Sequence, residues 1–340
     1  MIERKARIKA FAQLGEYLLN PINSIELQEA AQMARARNGW FVPENTLLSL
    51  QKIAENYLDS QKLTQFLNNY EEIETPKKIG VVMAGNVPAV GFHDALCVLL
   101  SGHQLLAKLS KDDTPLVLFL LDTLKKLEPK FEDDIQLVER INEADAYVAT
   151  GSDNTARYFE YYFAQKPHII RRNRTAVAVL DGHESEADLA GLGQDILRYF
   201  GLGCRNVSKL YVPPGYDFSK LYEVLEVQRD FYANHHKFFN NYEYNRSILL
   251  VNGTPHYDNG FLMFTESEAM VSPLSVVYYE SYESLPILLV GLDAQSEKIQ
   301  CIVGNPEKLP TAVSFGQAQS PGLADFADGV DTMAFLSNCE

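Results

Sequence analysis

From Lys78 onward, short apolar runs alternate with segments of helix length, and this alternation limits the possible folds more than any other feature of the chain. Strands and helices that alternate in this way form a mostly parallel sheet with right-handed crossovers. Helices are predicted over residues 88–100 and 187–200, with others starting at Thr114 and near residue 153. The apolar runs predict strands over residues 79–83, 105–109, 135–138, 146–150 and 176–180.

A second block of the same character follows Gly201. Upstream of residue 70, apolar residues recur every three or four positions, which indicates helices. We therefore predict an α/β fold in two lobes, residues 1–200 and 201–340, in which residues 311–340 pack as an ordered tail. For the second block the pattern predicts a long helix over 218–239 and strands over 209–212, 248–251, 274–279 and 302–303.

The charge of the chain restricts its partners. Its 30 basic and 45 acidic residues give a formal net charge of −15, a field that repels the phosphates of nucleic acids and anionic membrane lipids. The most apolar stretch, residues 116–121, is far too short to cross a bilayer. We therefore expect neither a nucleic-acid partner nor membrane insertion, and an anionic ligand must meet a local cluster of basic side chains.

The cysteines and histidines show no disulfide or metal pattern. The sequence contains no CxxC motif, and His235 and His236 have no partners at metal-ligand spacing, so we predict no metal. Widely spaced cysteines and an N-terminus without an apolar run indicate a reduced, cytoplasmic chain. The four cysteines are Cys97, Cys204, Cys301 and Cys339.

Asn86 follows the first predicted strand, in the sequence Met-Ala-Gly-Asn-Val-Pro that starts at Met83. Gly85 permits a tight turn there, and ligands of open α/β folds bind at the carboxyl edge of the sheet. The Asn86 amide either points at such a ligand or caps the helix predicted to begin at Pro88.

Polar residues follow two further predicted strands. Lys108 and Lys111 come after the second strand, where two ammonium groups either bind a phosphate or a ribose or are simply solvated. Gly151 and Ser152 follow the strand predicted over 146–150. They would let backbone N–H groups approach a pyrophosphate at a helix N-terminus, although the chain lacks the G-x-G-x-x-G fingerprint there.

Cys204 stands in the sequence Phe-Gly-Leu-Gly-Cys-Arg-Asn that starts at Phe200, between a predicted helix and a predicted strand. A cysteine in this setting lies in a turn rather than inside an apolar element. Arg205 and Lys209 would favour its thiolate, the species that attacks carbonyl carbon. The alternative is a buried, inert thiol, an interpretation that Cys97 in its apolar helix fits well.

The order of four motifs resembles that of the aldehyde dehydrogenase superfamily. Over roughly residues 75–280 the chain most resembles the acyl-CoA reductase (LuxC-type) branch of that superfamily. The resemblance implies that residues 1–200 hold N-terminal helices and a Rossmann-like cofactor domain, and that residues 201–340 form an α/β catalytic domain. The motifs are Asn86-Val-Pro, Lys108 with Ser110 ahead of Thr114-Pro, Gly151-Ser152 and Gly203-Cys204.

The resemblance also implies roles for individual residues. Cys204 would be the nucleophile that attacks the acyl carbonyl, and the Asn86 amide, with the backbone N–H of Cys204, would stabilise the oxyanion. The cofactor-binding residues would be Lys108, Ser110, Lys111, Gly151, Ser152 and, after a one-residue slip in the matching motif, Glu268.

Two departures from the family pattern narrow the expected activity. Hydrolytic members place a water-activating Glu where this chain has Ile-Ile-Arg-Arg-Asn-Arg-Thr from Ile169, so thioester chemistry fits better than oxidation of an aldehyde to an acid. Lys111 stands where NAD-preferring relatives often carry a Glu that binds the ribose hydroxyls. We therefore expect a preference for NADPH.

The leading hypothesis is NADPH-dependent reduction of an acyl-CoA, or of another acyl thioester, to an aldehyde through an acyl-cysteine thioester. Coenzyme A is then part of the substrate, and the basic run 166–174 either meets its phosphates or forms a solvated loop. The alternatives are an acyl-phosphate reductase, an aldehyde-oxidising dehydrogenase and a non-catalytic relative that binds a partner. An acyl-protein synthetase or an acyl carrier is a candidate partner, and the oligomeric state stays open.

Overall fold

The computed structural model describes residues 2–339, except for the side chain of Asp153. The N-terminal helices predicted upstream of residue 70 are present as four helices. Up to Arg171 the elements are α1 (Arg4–Leu19), α2 (Ser24–Arg37), α3 (Pro43–Tyr57), α4 (Ser60–Leu67), β1 (Lys78–Val82), α5 (Phe92–Ser101), β2 (Gln104–Lys108), α6 (Thr114–Leu127), β3 (Ile135–Leu137), β4 (Ala146–Thr150), α7 (Asp153–Phe163) and β5 (His168–Arg171). They are followed by β6 (Thr175–Val179), α8 (Glu186–Leu197), β7 (Val207–Val212), α9 (Ser219–Leu225), α10 (Arg229–Ala233), α11 (His236–Val251), β8 (His256–Asp258), β9 (Met263–Glu266), β10 (Val276–Ser281), α12 (Leu285–Asp293), β11 (Ile299–Val303) and α13 (Thr332–Ser337).

The chain forms two compact units. The first runs to Asn173 and resumes at Pro321, and the second is Arg174–Ser320. This division differs from the one predicted at residue 200, because β6 pairs with β7 and β11 and therefore belongs with the second sheet. The tail differs as well: its residues from Pro321 belong to the first unit, where Met333 and Leu336 are buried in the core.

The first unit is built on a five-stranded parallel sheet in the order β3-β2-β1-β4-β5. Its strands are apolar on both faces because helices cover both. Ile79 and Val81 face the core formed with the N-terminal helices, α5 and α6, whereas Val82 packs with Phe163 of α7 on the other face. The strand order changes direction between β1 and β4, and such a switch point is where ligands of open α/β sheets bind.

The second unit contains a six-stranded sheet in the order β11-β6-β7-β10-β9-β8. Its strands are parallel except for β8, which runs antiparallel to β9. The prediction of mostly parallel α/β architecture is therefore confirmed in both units.

Three element predictions are wrong. The run 248–251, predicted as a strand, is the last turn of α11, and 59% of Leu250 and 86% of Val251 are exposed, so these side chains face no core. The long helix predicted over 218–239 is interrupted, because the His235 side chain accepts a hydrogen bond from Phe238 N and starts α11. The helix predicted from residue 88 begins only at Phe92, since Ala89 has a left-handed φ of +57°.

Candidate active site

The loops after β1, β2 and β4 lie at one edge of the first sheet. Val82 is in register with Lys108 on one side and with Ala149 on the other, and all three strands are parallel, so their carboxyl ends coincide. This edge carries six of the residues predicted from the sequence, namely Asn86, Lys108, Ser110, Lys111, Gly151 and Ser152.

The loop between β1 and α5 holds the exposed Asn86 and is fixed by its neighbours. A Cβ on residue 85 would lie 2.3 Å from the Ser110 hydroxyl oxygen, so glycine is what allows this loop to meet the loop after β2. Ser49 on α3 donates to the Pro88 carbonyl at 2.7 Å. Because α5 begins at Phe92 with Gly91 as its N-cap, Asn86 is not the cap of that helix.

Asp113, at the start of α6, also holds this loop. Its Oδ2 accepts from Ala89 N at 2.8 Å, whereas its Oδ1 is buried with no hydrogen-bond partner among the described residues. Burial raises the pKa of Asp113 well above its usual value, and the single bond from Ala89 opposes that shift. A buried carboxyl group therefore supports the segment that presents Asn86.

The loop after β2 carries a cationic patch that we define as Lys108, Lys111 and Arg37. Arg37, the last residue of α2, donates from Nε to the Lys111 carbonyl, a contact between residues 74 positions apart. Within residues 2–339, none of these three cations forms an ion pair. No local motif connects Arg37 to Lys111, so the sequence does not predict this contact. Ser110, by contrast, uses its hydroxyl to accept from Asp112 N and to pack against Gly85.

The loop after β4 ends at the N-terminus of α7. Gly151 N donates to the Arg171 carbonyl at 3.2 Å, and a Cβ on Gly151 would lie about 3 Å from Thr155, so the turn is tight. The Ser152 hydroxyl caps α7 by accepting from Thr155 N at 3.4 Å. The partial positive charge of this helix end favours an anion.

The basic run 166–174 is not a solvated loop, because it contains a strand and its three arginines have partners; its contact with coenzyme A phosphates stays a prediction. Its middle residues, 168–171, form β5, and Arg171 is buried, with an ion pair to Asp94 and a 2.7 Å hydrogen bond to the Thr332 hydroxyl. Arg172 pairs with Glu160, and Arg174 donates to the carbonyls of Ser296 and Ile299. These arginines are therefore occupied in holding the protein's own structure together.

The side chains at the carboxyl edge of the first sheet fit a phosphorylated cofactor. The ammonium and guanidinium groups of the cationic patch attract phosphate, and the N-terminus of α7 adds backbone N–H donors.

The described part of the chain contains no cluster of three His, Cys, Asp or Glu side chains arranged to bind a metal ion. Within residues 2–339, no helix combines the length and apolar character that a membrane crossing requires.

Cys204 lies in a turn of the second unit, between α8 and β7. Asn206 N donates to the Gly203 carbonyl at 3.0 Å, which closes a four-residue turn with Cys204 at its second position. The Asn206 side chain accepts from Gly203 N at 2.8 Å and donates to three carbonyls at the end of α8. Cys204 is half-buried in this turn, as its sequence context predicted, whereas Cys97 is fully buried and burial raises the pKa of its thiol.

The residues just before the turn have an unusual backbone. Tyr199, Phe200 and Gly201 have φ values of +53°, +59° and +77°, and non-glycine residues in this region are strained. Phe200 is almost fully buried and stacks on His235 and Phe231, with ring centroids 4.1 and 5.8 Å away. This packing offsets the strain and fixes where the chain enters the turn.

The two cations predicted to favour the Cys204 thiolate, Arg205 and Lys209, both have other partners in the second unit. Lys209 is 1% exposed, pairs with Glu280 at 2.5 Å and donates to the Glu268 carbonyl at 3.0 Å. Glu280 balances the charge of Lys209, and the effect of Lys209 on the Cys204 thiolate stays a prediction. Arg205 donates from Nε to the Ala318 carbonyl at 2.6 Å. Glu268 is exposed in the loop after β9, and its part in ribose binding stays a prediction.

The family model described as acyl-CoA reductase (LuxC) matches residues 19–227 of the chain. Among solved structures, the chain is similar to the NAD-dependent aldehyde dehydrogenase from Sinorhizobium meliloti, with a TM-score of 0.69, 10% identity and coverage of 92% of this chain and 74% of that one. It is similar to HpcC from Thermus thermophilus, with a TM-score of 0.67, 13% identity and coverage of 92% and 73%.

A variant of the propionaldehyde dehydrogenase from the Clostridium phytofermentans fucose utilisation bacterial microcompartment gives a TM-score of 0.59, 10% identity and coverage of 94% and 82%. These likenesses confirm the predicted aldehyde dehydrogenase-like fold, and at such identities they show the fold alone. No curated protein matches the chain.

Proposed function

The chain belongs to the acyl-CoA reductase (LuxC) family, and from this premise we propose that it reduces an acyl-CoA to an aldehyde with NADPH through a thioester on Cys204. The observation that carries the proposal is the placement of Cys204. It is half-buried at the second position of a turn whose backbone is held by hydrogen bonds on both sides. A cysteine in a fixed, partly exposed turn has the setting of a nucleophile, whereas the fully buried Cys97 does not.

In the proposed reaction, the Cys204 thiolate forms a bond to the acyl carbonyl carbon. The tetrahedral adduct then collapses, the carbon–sulfur bond to coenzyme A breaks, and the coenzyme leaves as a thiolate. The Asn86 amide and the backbone N–H of Cys204 are the assigned donors to the oxyanion. After reduction of the acyl group, the bond to Cys204 breaks, its electron pair returns to sulfur, and the aldehyde is released.

The cofactor is assigned to the carboxyl edge of the first sheet. Lys108, Lys111 and Ser152 are the residues assigned to hold its ribose and phosphates, and the lysines' lack of ion-pair partners within residues 2–339 supports the assignment. When bound, NADPH supplies the hydride that reduces the acyl carbonyl. Lys111 is exposed and positively charged, which favours a 2′-phosphate over a bare ribose.

Reduction is favoured over hydrolysis of the acyl-enzyme. Water needs a base to attack a thioester, and the stretch that carries the water-activating Glu in hydrolytic relatives has no carboxylate here. Its first three residues, 169–171, lie in β5, and its Arg171 is buried in an ion pair with Asp94. The acyl group on Cys204 is therefore expected to persist until hydride arrives.

The test is an assay of purified protein with NADPH and acyl-CoAs of several chain lengths, followed by loss of NADPH absorbance. We expect turnover that falls at least about a thousandfold in Cys204→Ser and is retained in the matched control Cys301→Ser, which alters a half-buried cysteine of the same unit. Incubation without NADPH should leave an acyl adduct on Cys204, detectable by peptide mass spectrometry.

Each alternative predicts a different result. Turnover of acyl phosphates alone would indicate an acyl-phosphate reductase, and NADP-dependent oxidation of aldehydes alone would indicate a dehydrogenase. A folded protein that turns over none of these substrates would support the non-catalytic relative. Activity that survives Cys204→Ser would refute the assignment of the nucleophile.

A further inference from the structure

We propose that Asp195 is a positioning residue that holds the segment 315–319 against the turn carrying Cys204. The proposal rests on the assignment of Cys204 as the nucleophile. It concerns only the second unit, and it assigns a task to a carboxyl group that the reaction itself does not use.

Asp195 lies in the last turn of α8 and has no exposed surface. Its Oδ2 accepts from Gly316 N at 2.6 Å, and its Oδ1 accepts from Ala318 N at 3.0 Å. Both carboxylate oxygens therefore bind backbone N–H groups of one segment, which lies more than 120 positions away in sequence.

The same segment is attached to the turn 203–206 that carries Cys204, which we call the nucleophile turn. Arg205, the residue after Cys204, donates from Nε to the Ala318 carbonyl at 2.6 Å. Ala318 thus gives its N–H to Asp195 and its carbonyl to Arg205, so one peptide segment connects the end of α8 with the turn.

A third connection joins the end of α8 directly to the nucleophile turn. The Asn206 side chain donates to the carbonyls of Asp195, Ile196 and Arg198 and accepts from Gly203 N. The end of α8, the nucleophile turn and the segment 315–319 are therefore joined pairwise, and the Cys204 turn is held from both sides. Such a closed set of contacts restricts the direction of a side chain more than any single contact does.

The packing leaves little room for another arrangement. A Cβ on Gly191 of α8 would lie 2.8 Å from Gly316 N, so the segment lies backbone against backbone on the helix. Gly316 itself has a φ of +81°, which few other residues adopt without strain. Burial raises the pKa of Asp195 to about 6, against the lowering effect of its N–H partners and of Arg198 and Arg205. At pH 8 the carboxylate is charged and accepts both hydrogen bonds.

The experiment compares wild type, Asp195→Asn and the matched control Asp188→Asn at pH 8. Asp188 lies on the same helix and forms its N-terminal capping box, so its loss weakens α8 without touching the turn. Sites that can be acylated are counted by the burst of coenzyme A released without NADPH, and kcat is expressed per such site. We expect Asp195→Asn to lower this kcat about tenfold with KM for acyl-CoA within about twofold, and Asp188→Asn to change neither.

Arg205→Gln provides a second and independent variant, and it decides the question if Asp195→Asn does not fold. It should also lower kcat per site, and the double variant should lose less than the product of the two single losses, because both act through Ala318. Losses that multiply, or a kcat per site within twofold of wild type in both single variants, would overturn the proposal. Turnover in Cys204→Ser would instead refute the proposed function, so the two failures are distinguishable.

Discussion

Lys111 is the single residue on which the cofactor assignment depends most. It is exposed, and its main-chain oxygen is held by Arg37. Replacing it with Glu removes an attraction for a 2′-phosphate and adds a repulsion, while a carboxylate can bind ribose hydroxyls. We expect Lys111→Glu to lower the ratio of kcat/KM for NADPH to that for NADH by at least about tenfold, an effect of roughly 1.4 kcal/mol.

The control for this change is Lys130→Glu. Lys130 is exposed and precedes β3, so it lies at the opposite, amino-terminal edge of the same sheet, and the substitution changes the net charge equally. Steady-state kinetics with both cofactors is the measurement. An equal shift in both variants would point to the general field of the protein, and no shift in Lys111→Glu would contradict NADPH selection by this residue.

Arg37 is expected to assist Lys111, because its guanidinium lies beside the same loop and forms no ion pair within residues 2–339. Arg37→Ala should raise KM for NADPH about fivefold to tenfold and leave KM for NADH unchanged, since only the former carries the extra phosphate. Arg35→Ala, which removes a second exposed arginine from the last turn of α2, is the control. A rise in KM for both cofactors in Arg37→Ala would show a loss of loop structure instead.

Among the elements, the loop between β1 and α5 depends on a buried acid. Asp113 has its pKa raised by burial, so the folded chain holds a proton at pH values where the unfolded chain has lost it. The stability contributed by this group is therefore greatest at low pH and falls as the pH rises through its raised pKa. Asp113→Asn keeps an acceptor for Ala89 N and removes the charge, so it should be free of this loss.

The quantity compared is the free energy of unfolding of Asp113→Asn minus that of wild type, and we expect it to increase from pH 5 to pH 8. The increase should be about 1.4 kcal/mol for each unit by which the pKa of Asp113 in the folded chain exceeds 5. Urea unfolding followed by fluorescence of Trp40, the single tryptophan, is the measurement, since Trp40 packs on the core of the first unit. Asp122→Asn, at an exposed position of α6, should show no such trend. A difference that stays constant with pH would contradict the raised pKa.

The part of the candidate site that the sequence could predict is the part carried by loops that follow short apolar strands. Each loop at the sheet edge follows a short apolar run, and such runs are local: β1 spans Lys78–Val82 against a predicted 79–83, and β4 spans Ala146–Thr150 as predicted. The run 248–251 shows the limit of this reasoning, because four apolar residues fit a strand and a helix equally. Only the start of α11 at His236 decides between them.

Contacts between distant residues could not be predicted from any local pattern. Arg37 meets Lys111 across 74 positions, and Asp195 meets Gly316 across 121. The same holds for Lys209, whose ion-pair partner Glu280 is 71 positions away in sequence. Local motifs are enough to propose Cys204 and Asn86 as site residues, whereas the groups that fix their surroundings become visible only in the fold.

At the scale of the whole molecule, the path of the chain determines how the first unit is completed. It leaves the first unit at Asn173, builds the second, and returns at Pro321 to complete the first. The returning segment supplies partners for polar groups of the first unit: the Leu323 carbonyl for the half-buried His93, the Leu336 carbonyl for the buried His103 and the Thr332 hydroxyl for the buried Arg171. The first unit is thus finished by residues that follow the second in sequence.

A chain that ends at Ser320 should therefore be destabilised specifically in its first unit. It would expose the surfaces that Met333 and Leu336 cover and leave Arg171, His93 and His103 each without one partner. We expect the thermal transition reported by Trp40 to fall by about 10 °C or more, since each kcal/mol lost shifts a unit of this size by roughly 2–4 °C and several kcal/mol are lost. Adding a synthetic peptide of residues 321–340 should restore part of the shift, because it supplies the same contacts in trans. An unchanged Trp40 transition in the shortened chain would mean that the first unit does not need the tail that it buries.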